Sequence, residues 1–220
     1  MSAISFIDFN FLGQISLNIS MSIYLIWFLP QVFLNFKRKD TEGLSLGMHG
    51  ILSIGYLCDL IYGWGLSMPL QYRLVTWIGL FSLAIQHYQI GRYGLHKINQ
   101  KYGFIFLNIF YFLLLIFVFW ALKFSAHARY FYDQIGMVSN ICWLTYMLPQ
   151  IIKNFINKST IGLSPYFVAI AIFLNLCDST SAWALDWDYP SKIGAPVAWF
   201  ENLILLGQVF YYAKLSKFRR

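Results

Sequence analysis

Two aspartates, Asp59 and Asp178, interrupt apolar runs, each directly after a cysteine (Cys58, Cys177) and five residues before a tryptophan (Trp64, Trp183). A carboxylate near the middle of a bilayer costs about 3 kcal/mol on insertion scales, so it faces a cavity, finds a partner or carries a proton. Both are therefore candidates for proton coupling. Asn175 stands one turn before Asp178 on the same helical face, an amide and a carboxyl suited to holding a polar solute with an amino group. Glu201 and Asn202 place a second acid and amide in the last apolar run, and Tyr24 and Trp143 are candidates to line a central cavity. Gln86-His87 ends another run, where His87 reads as an interfacial hydrogen bonder; His49, His96 and His127 are scattered without ligand spacing.

Enzymatic chemistry is not what these residues spell. No nucleophile elbow, phosphate loop or metal cluster occurs in the sequence. Intramembrane aspartyl proteases set one aspartate in Gly-x-Gly-Asp, whereas here the sequence is Tyr56-Leu57-Cys58-Asp59. The expectation is no catalytic residue, no metal and no cofactor. Cys58, Cys142 and Cys177 lie inside apolar segments and read as free thiols packed as small hydrophobes.

The elements that must position these groups are organised by a repeat. Leu29 to Ser45 returns as Leu148 to Ser164 at a constant offset of 119 residues, with ten of seventeen positions identical. The offset also pairs Asp59 with Asp178, Trp64 with Trp183 and Tyr24 with Trp143. It is an internal duplication. Pro30-Gln31 and Pro149-Gln150 are its hallmark. A proline inside a helix removes an amide donor and crowds the carbonyl four residues back, here Ile26 and Thr145. Each helix is thereby weakened at one level, and Gln31 and Gln150 are expected to satisfy the backbone groups freed there. Two symmetry-related weak points suit hinges.

Composition sets the solvent. The chain is 59% hydrophobic, 20% aromatic and only 11% charged, which excludes a water-soluble globule of this length. The net charge of +7 is carried in short loops between apolar runs, without the basic face that nucleic acid requires. Seven spans of bilayer length are expected: Ile15–Phe36, Leu44–Leu66, Leu70–Gly91, Phe104–Lys123, Gln134–Phe155, Leu163–Trp183 and Ala195–Ala213. Twelve of the sixteen Lys and Arg then share one side, and only Arg73, Lys123, Arg129 and Lys192 face the other. Cationic residues stay cytoplasmic. This predicts the N-terminus outside, the C-terminus cytoplasmic and both Pro-Gln stretches near the cytoplasmic face.

The fold class expected is an all-α integral membrane protein of seven helices, two parallel three-helix repeats joined by a linker helix, in a three-plus-one-plus-three order. The units are residues 1–100, the linker 101–130 and residues 131–220. The third spans of the two units are expected to align with three residues inserted in the second copy, matching Val75, Trp77 and Gln86 to Val197, Trp199 and Gln208.

Both Pro-Gln pairs are followed by Asn-Phe, a basic residue and Gly-Leu-Ser, and so the chain resembles the PQ-loop transporters over its whole length. That group includes cystinosin, the proton-coupled cystine exporter, the lysosomal and vacuolar cationic amino-acid carriers and, more distantly, the SWEET sugar transporters. The resemblance implies roles. Asn35 and Asn154 resemble the asparagine that contacts substrate in the second repeat of cystinosin, with Asn154 the direct match. Asn175 matches an asparagine of the cationic amino-acid carriers. Asp188 to Gly194 resembles the cystinosin loop whose lysine handles substrate, which singles out Lys192. Carriers of this family often have an aspartate six residues before the glutamine of the seventh span; Asn202 takes that place here, with Glu201 adjacent.

The reading is a carrier of a small polar solute, an amino acid of cystine-like or cationic type, working by alternating access with protons as the coupling ion. Substrate is placed near Asn154, Asn175 and Asp178, with Asn35, Tyr24, Trp143 and Lys192 contributing. Asp178, Asp59, Glu201 and Asn202 are assigned to proton coupling, and Pro30, Gln31, Pro149 and Gln150 to the hinges. The alternatives are a non-transporting cargo receptor on the same scaffold and a sugar facilitator. Partners are the solute, protons and the lipid bilayer, with no nucleic acid, and the chain acts as a monomer or homodimer. A bacterial inner membrane is favoured over a lysosomal or vacuolar one.

Overall fold

The computed structural model describes residues 8–94, 129–187 and 189–218, together with residues 105, 109, 111–114, 116–117 and 120. Among them, eight helices carry the fold and no strand occurs: α1 (Phe9–Trp27), α2 (Leu29–Arg38), α3 (Leu46–Gly65), α4 (Leu70–Gly94), α5 (Arg129–Thr145), α6 (Leu148–Asn157), α7 (Pro165–Ala184) and α8 (Tyr189–Phe218). The described residues between 105 and 120 are also helical. Lys192 of the Asp188–Gly194 region is described, but Asp188 lies outside the described residues.

Among the described residues, four stretches are long and apolar enough to cross a membrane: Phe9–Arg38, Arg129–Asn157, Pro165–Ala184 and Ser191–Leu215. This is a multi-pass membrane chain. Its exposed surface is a girdle of Leu, Ile, Phe and Trp, including Phe33, Phe81, Phe155 and Phe210, as lipid contact demands. α3 and α4 are more polar, since they hold Asp59, His49, His87, Gln86 and Gln89 buried inside the bundle.

The prolines divide the first helix of each repeat as the sequence predicts. Pro30 and Pro149 stand in the first turn of α2 and α6, where a missing amide leaves no bond unmade. α1 stops at Trp27, and the freed carbonyl of Ile26 accepts the amide of Phe28. In the second copy the break spans Tyr146 and Met147. Both α2 and α6 end on a lysine in the left-handed region, Lys39 (φ 51°) and Lys158 (φ 48°), and α3 and α7 are capped by Ser45 and Ser164.

Packing repeats the same pattern twice. α4 packs against α1 and α3, and α8 packs against α5 and α7. The first and second spans of each copy are thus joined through the third. Across the copies, α1 lies on α7 and α3 lies on α5. These crossings use small residues that let backbones approach. Ser16 and Ser181 donate to the carbonyls of Cys177 (3.0 Å) and Gly13 (3.3 Å), and Ser139 donates to that of Gly55 (3.2 Å).

The expected three-residue insertion in the third span is not observed. α4 and α8 begin at Leu70 and Tyr189, which differ by the same 119 residues. Gln89, not Gln86, is the partner of Gln208: Asn35 donates to Gln89 (2.9 Å) as Asn154 donates to Gln208 (3.1 Å). Gln86 and Gln89 sit one turn apart, so spacing alone admitted either register.

Candidate functional site

A cavity of about 110 Å³ opens between the two copies. Its walls come from α1, α3, α4, α5, α7 and α8, and it reaches toward Trp187 and Ser191 at the end opposite the Pro-Gln helices. Asp59, Asp178, Tyr24, Trp143 and Asn175 line it, together with Tyr56, Tyr72, Thr76 and Asn140. Thus five residues singled out in the sequence converge on one space.

Each aspartate is held by the other copy. Asp59 accepts from Ser139 Oγ (2.5 Å), Trp143 Nε1 (2.8 Å) and, within its own copy, Tyr72 Oη (2.6 Å). Asp178 accepts from Ser20 Oγ and from Tyr24 Oη (3.1 Å). Ser20 and Ser139, like Tyr24 and Trp143, differ by 119 residues, so the two clusters are one motif used twice. Sequence reading missed Ser20, Ser139, Tyr72 and Tyr56. The shared offset of the two serines, one turn before Tyr24 and Trp143, was the available signal. The hydroxyl of Tyr56, a residue 1% exposed, lines the cavity without a hydrogen-bond partner among the described residues.

The Pro-Gln glutamines do something other than satisfy the backbone at the break. Gln31 Nε2 donates to Gly162 O (2.8 Å) and Gln31 Oε1 accepts from Ser164 N (2.8 Å). Reciprocally, Gln150 Nε2 donates to Gly43 O (2.9 Å) and Gln150 Oε1 accepts from Ser45 N (2.7 Å). A glutamine side chain is long enough to reach past its own helix, and a tight turn already serves the freed carbonyl of Ile26. Gly43 and Gly162 meet backbone to backbone at the centre of this latch. A Cβ on Gly43 would lie 2.2 Å from Ile161 O, and Gly162 holds φ +95°. Lys153 adds donations to the carbonyls of Glu42 (2.5 Å) and Leu44 (2.7 Å) of the other copy. The cavity is therefore sealed at the Pro-Gln end.

The remaining predicted residues lie outside the cavity lining. Asn35 and Asn154 belong to the latch: each accepts from its neighbouring glutamine, Gln31 (2.8 Å) or Gln150 (2.9 Å). Asn202 is fully buried and donates to Tyr146 Oη (2.9 Å) and Ala198 O (2.8 Å). Glu201 Oε2 accepts from Met147 N (3.3 Å), so it caps the second break and serves as a backbone partner there. Lys192 pairs with exposed Asp186 (2.5 Å) at the opposite end, and its ammonium holds the Asp186 carboxyl below the usual range. Among the described residues, no group of three or more His, Cys, Asp or Glu forms a metal site.

The family model for the PQ loop repeat matches residues 12–72 and 132–191, which are the two copies of α1 to α3 and their counterparts. No curated protein matches the chain in sequence. In fold it is similar to the 3.7 Å resolution structure of a eukaryotic SWEET transporter, with a TM-score of 0.71 over 94% of this chain and 99% of that one, at 16% identity. Two family matches that cover more than half of the chain, placed on the duplicated latch, show that it belongs to the PQ-loop repeat family.

Proposed function

We propose that the protein is a membrane carrier of a small polar solute, an amino acid, which it moves by alternating access between two three-helix units. The observation that carries this reading is the cavity itself: a polar space between two repeats, sealed at one end by a reciprocal latch. Residues 1–100 and 131–220 act as the moving bodies, with residues 101–130 as the linker helix. Opening at the Pro-Gln end requires the latch to part, and the helix breaks at Pro30 and Pro149 supply the bending points. In this reading the structure represents the state open away from that end, and the distribution of Lys and Arg supports placing that side outside.

Chemistry favours a substrate with an amino group. Two carboxyls, two amides and several phenols and hydroxyls face the cavity, and among the described residues no lysine or arginine lines it. An ammonium can donate hydrogen bonds to Asp178 and Asp59, while Asn175 Nδ2 and Tyr56 Oη can donate to the carboxylate. Trp143 and Tyr24 offer aromatic faces to the cation. Asp178 is the proposed proton carrier, since it bridges the units and loses or keeps its partners Ser20 and Tyr24 as they separate. Glu201 is a second candidate, because its protonation would release the Met147 amide at the break. Asn35 and Asn154 then act through the latch and not by touching substrate.

A panel of radiolabelled amino acids offered to proteoliposomes at two external pH values tests the reading. Saturable uptake, stimulated by a proton gradient and lost in Asp178→Asn, is expected. Saturable binding without flux under any gradient would instead favour a receptor. Uptake of neutral sugars alone would favour a facilitator.

A further inference from the structure

Behind the latch, α3 and α4 pack His49 against His87 with ring centroids 5.2 Å apart. The sequence places His87 at the interface, yet it is 2% exposed and His49 is wholly buried. None of their four ring nitrogens has a hydrogen-bond partner among the described residues. Tyr111, from the helical stretch between the copies, closes the cluster with its ring 5.0 Å from that of His87. Its hydroxyl is 2.7 Å from Ser53 Oγ, which also donates to the carbonyl of His49 (2.6 Å).

The duplication provides an internal control for what the fold needs here. At the same offset the second copy has Val168, Ile172 and Leu206 in place of His49, Ser53 and His87. Val168 is fully buried in the apolar core. The scaffold is thus satisfied by hydrocarbon at this position, and the polar cluster of the first copy serves something else. A neutral imidazole carries one donor and one acceptor. A direct N–H···N bond of about 2.9 Å puts two imidazole centroids about 5 Å apart, which is the separation observed. A rotation of one ring completes that bond without moving either helix.

We propose that His49 and His87 are a proton-binding pair, which takes up one proton from water and shares it as an imidazolium donating to an imidazole. Among the described residues, the titratable and charged groups facing the pair are Tyr111, from the stretch between the copies, and Lys153 of α6, which lies within electrostatic range of His49. A second proton would set two cations against each other and beside Lys153, so the pair holds one. His49 is one turn inside Ser45, whose amide Gln150 holds. The pair therefore adjoins the latch in the first copy only. It does not depend on which solute, if any, is carried.

Proton uptake by purified protein in lipid nanodiscs, counted from about pH 8 to about pH 4, tests this. His49→Val/His87→Leu, which installs the residues of the second copy, should take up one proton fewer per chain than the parent. A difference of none or of two overturns the proposal. If that variant fails to fold, ¹⁵N-histidine NMR of His96→Asn/His127→Asn, which retains only the pair, decides. One imidazolium and one imidazole at the acid end are expected; two neutral rings throughout, or two imidazolium rings, would refute it.

Discussion

Gln150→Leu is the sharpest single perturbation of the latch. The wild-type side chain donates to Gly43 O and accepts from Ser45 N across the interface. Leucine preserves the volume and removes both bonds, and it leaves a buried amide and a carbonyl of the first copy unpaired whenever the Pro-Gln end is closed. Each orphaned group costs about 1–3 kcal/mol, so closure should weaken by roughly 2–6 kcal/mol. At 1.4 kcal/mol per tenfold, a middle value of about 4 kcal/mol lowers the closed-to-open ratio by roughly 700-fold. When the end opens, water satisfies the same groups, so the loss is specific to the closed state. Spin labels at Phe36→Cys and Phe155→Cys report it, since these exposed residues occupy equivalent positions on α2 and α6. The three native cysteines, all buried and free, are first replaced. Pulsed dipolar spectroscopy should show the distances across the Pro-Gln end shifted to longer values in Gln150→Leu, and Gln31→Leu should behave alike. Distances unchanged from wild type in both variants, with the fold intact, would refute the latch.

Other expectations follow from the same contacts. Gly43→Ala drives a Cβ to 2.2 Å from Ile161 O, so it should hold the Pro-Gln end apart and reduce flux at least tenfold, measured as initial uptake rate, while cavity binding persists. Asp178→Asn should abolish stimulation of flux by a proton gradient, and Ser20→Ala, which removes one of its hydrogen bonds, should change the pH dependence without abolishing flux. Asn35→Ala and Asn154→Ala should impair uptake to a similar degree, because both occupy the same place in mirrored networks; a loss confined to Asn154→Ala would restore it as a substrate ligand. Tyr56→Phe removes a cavity hydroxyl with no protein partner, so it should raise the apparent KM for substrate with little effect on thermal stability.

Much of this architecture was legible because duplication writes itself twice. The Pro-Gln stretches, the paired aspartates and the helix breaks all follow from a single offset and from what proline does to a helix. Cross-copy partnership was not legible. Nothing in the local sequence of Gln31 says that its amide reaches Gly162 of the other copy as well as Asn35 of its own helix, because the first contact is made by the approach of another segment. Asn154 illustrates the cost: its position suggested a substrate ligand, and only the placement of α8 reveals Gln208 as its partner. The alignment of the third spans failed for a related reason. Trp77 with Trp199 and Gln86 with Gln208 share a spacing, but the contact with Asn35 selects Gln89. His49 and His87 lie 38 residues apart in sequence, too far for any helical pattern to join them.

The central claim is that solute enters a cavity between the copies and crosses when the latch parts. Counterflow tests it most directly: proteoliposomes loaded with an unlabelled amino acid are diluted into a trace of the labelled one, with no ion gradient imposed. The account predicts transient accumulation of label above equilibrium in the parent and its loss in Gly43→Ala. Saturable binding of the same amino acid with no accumulation would contradict it.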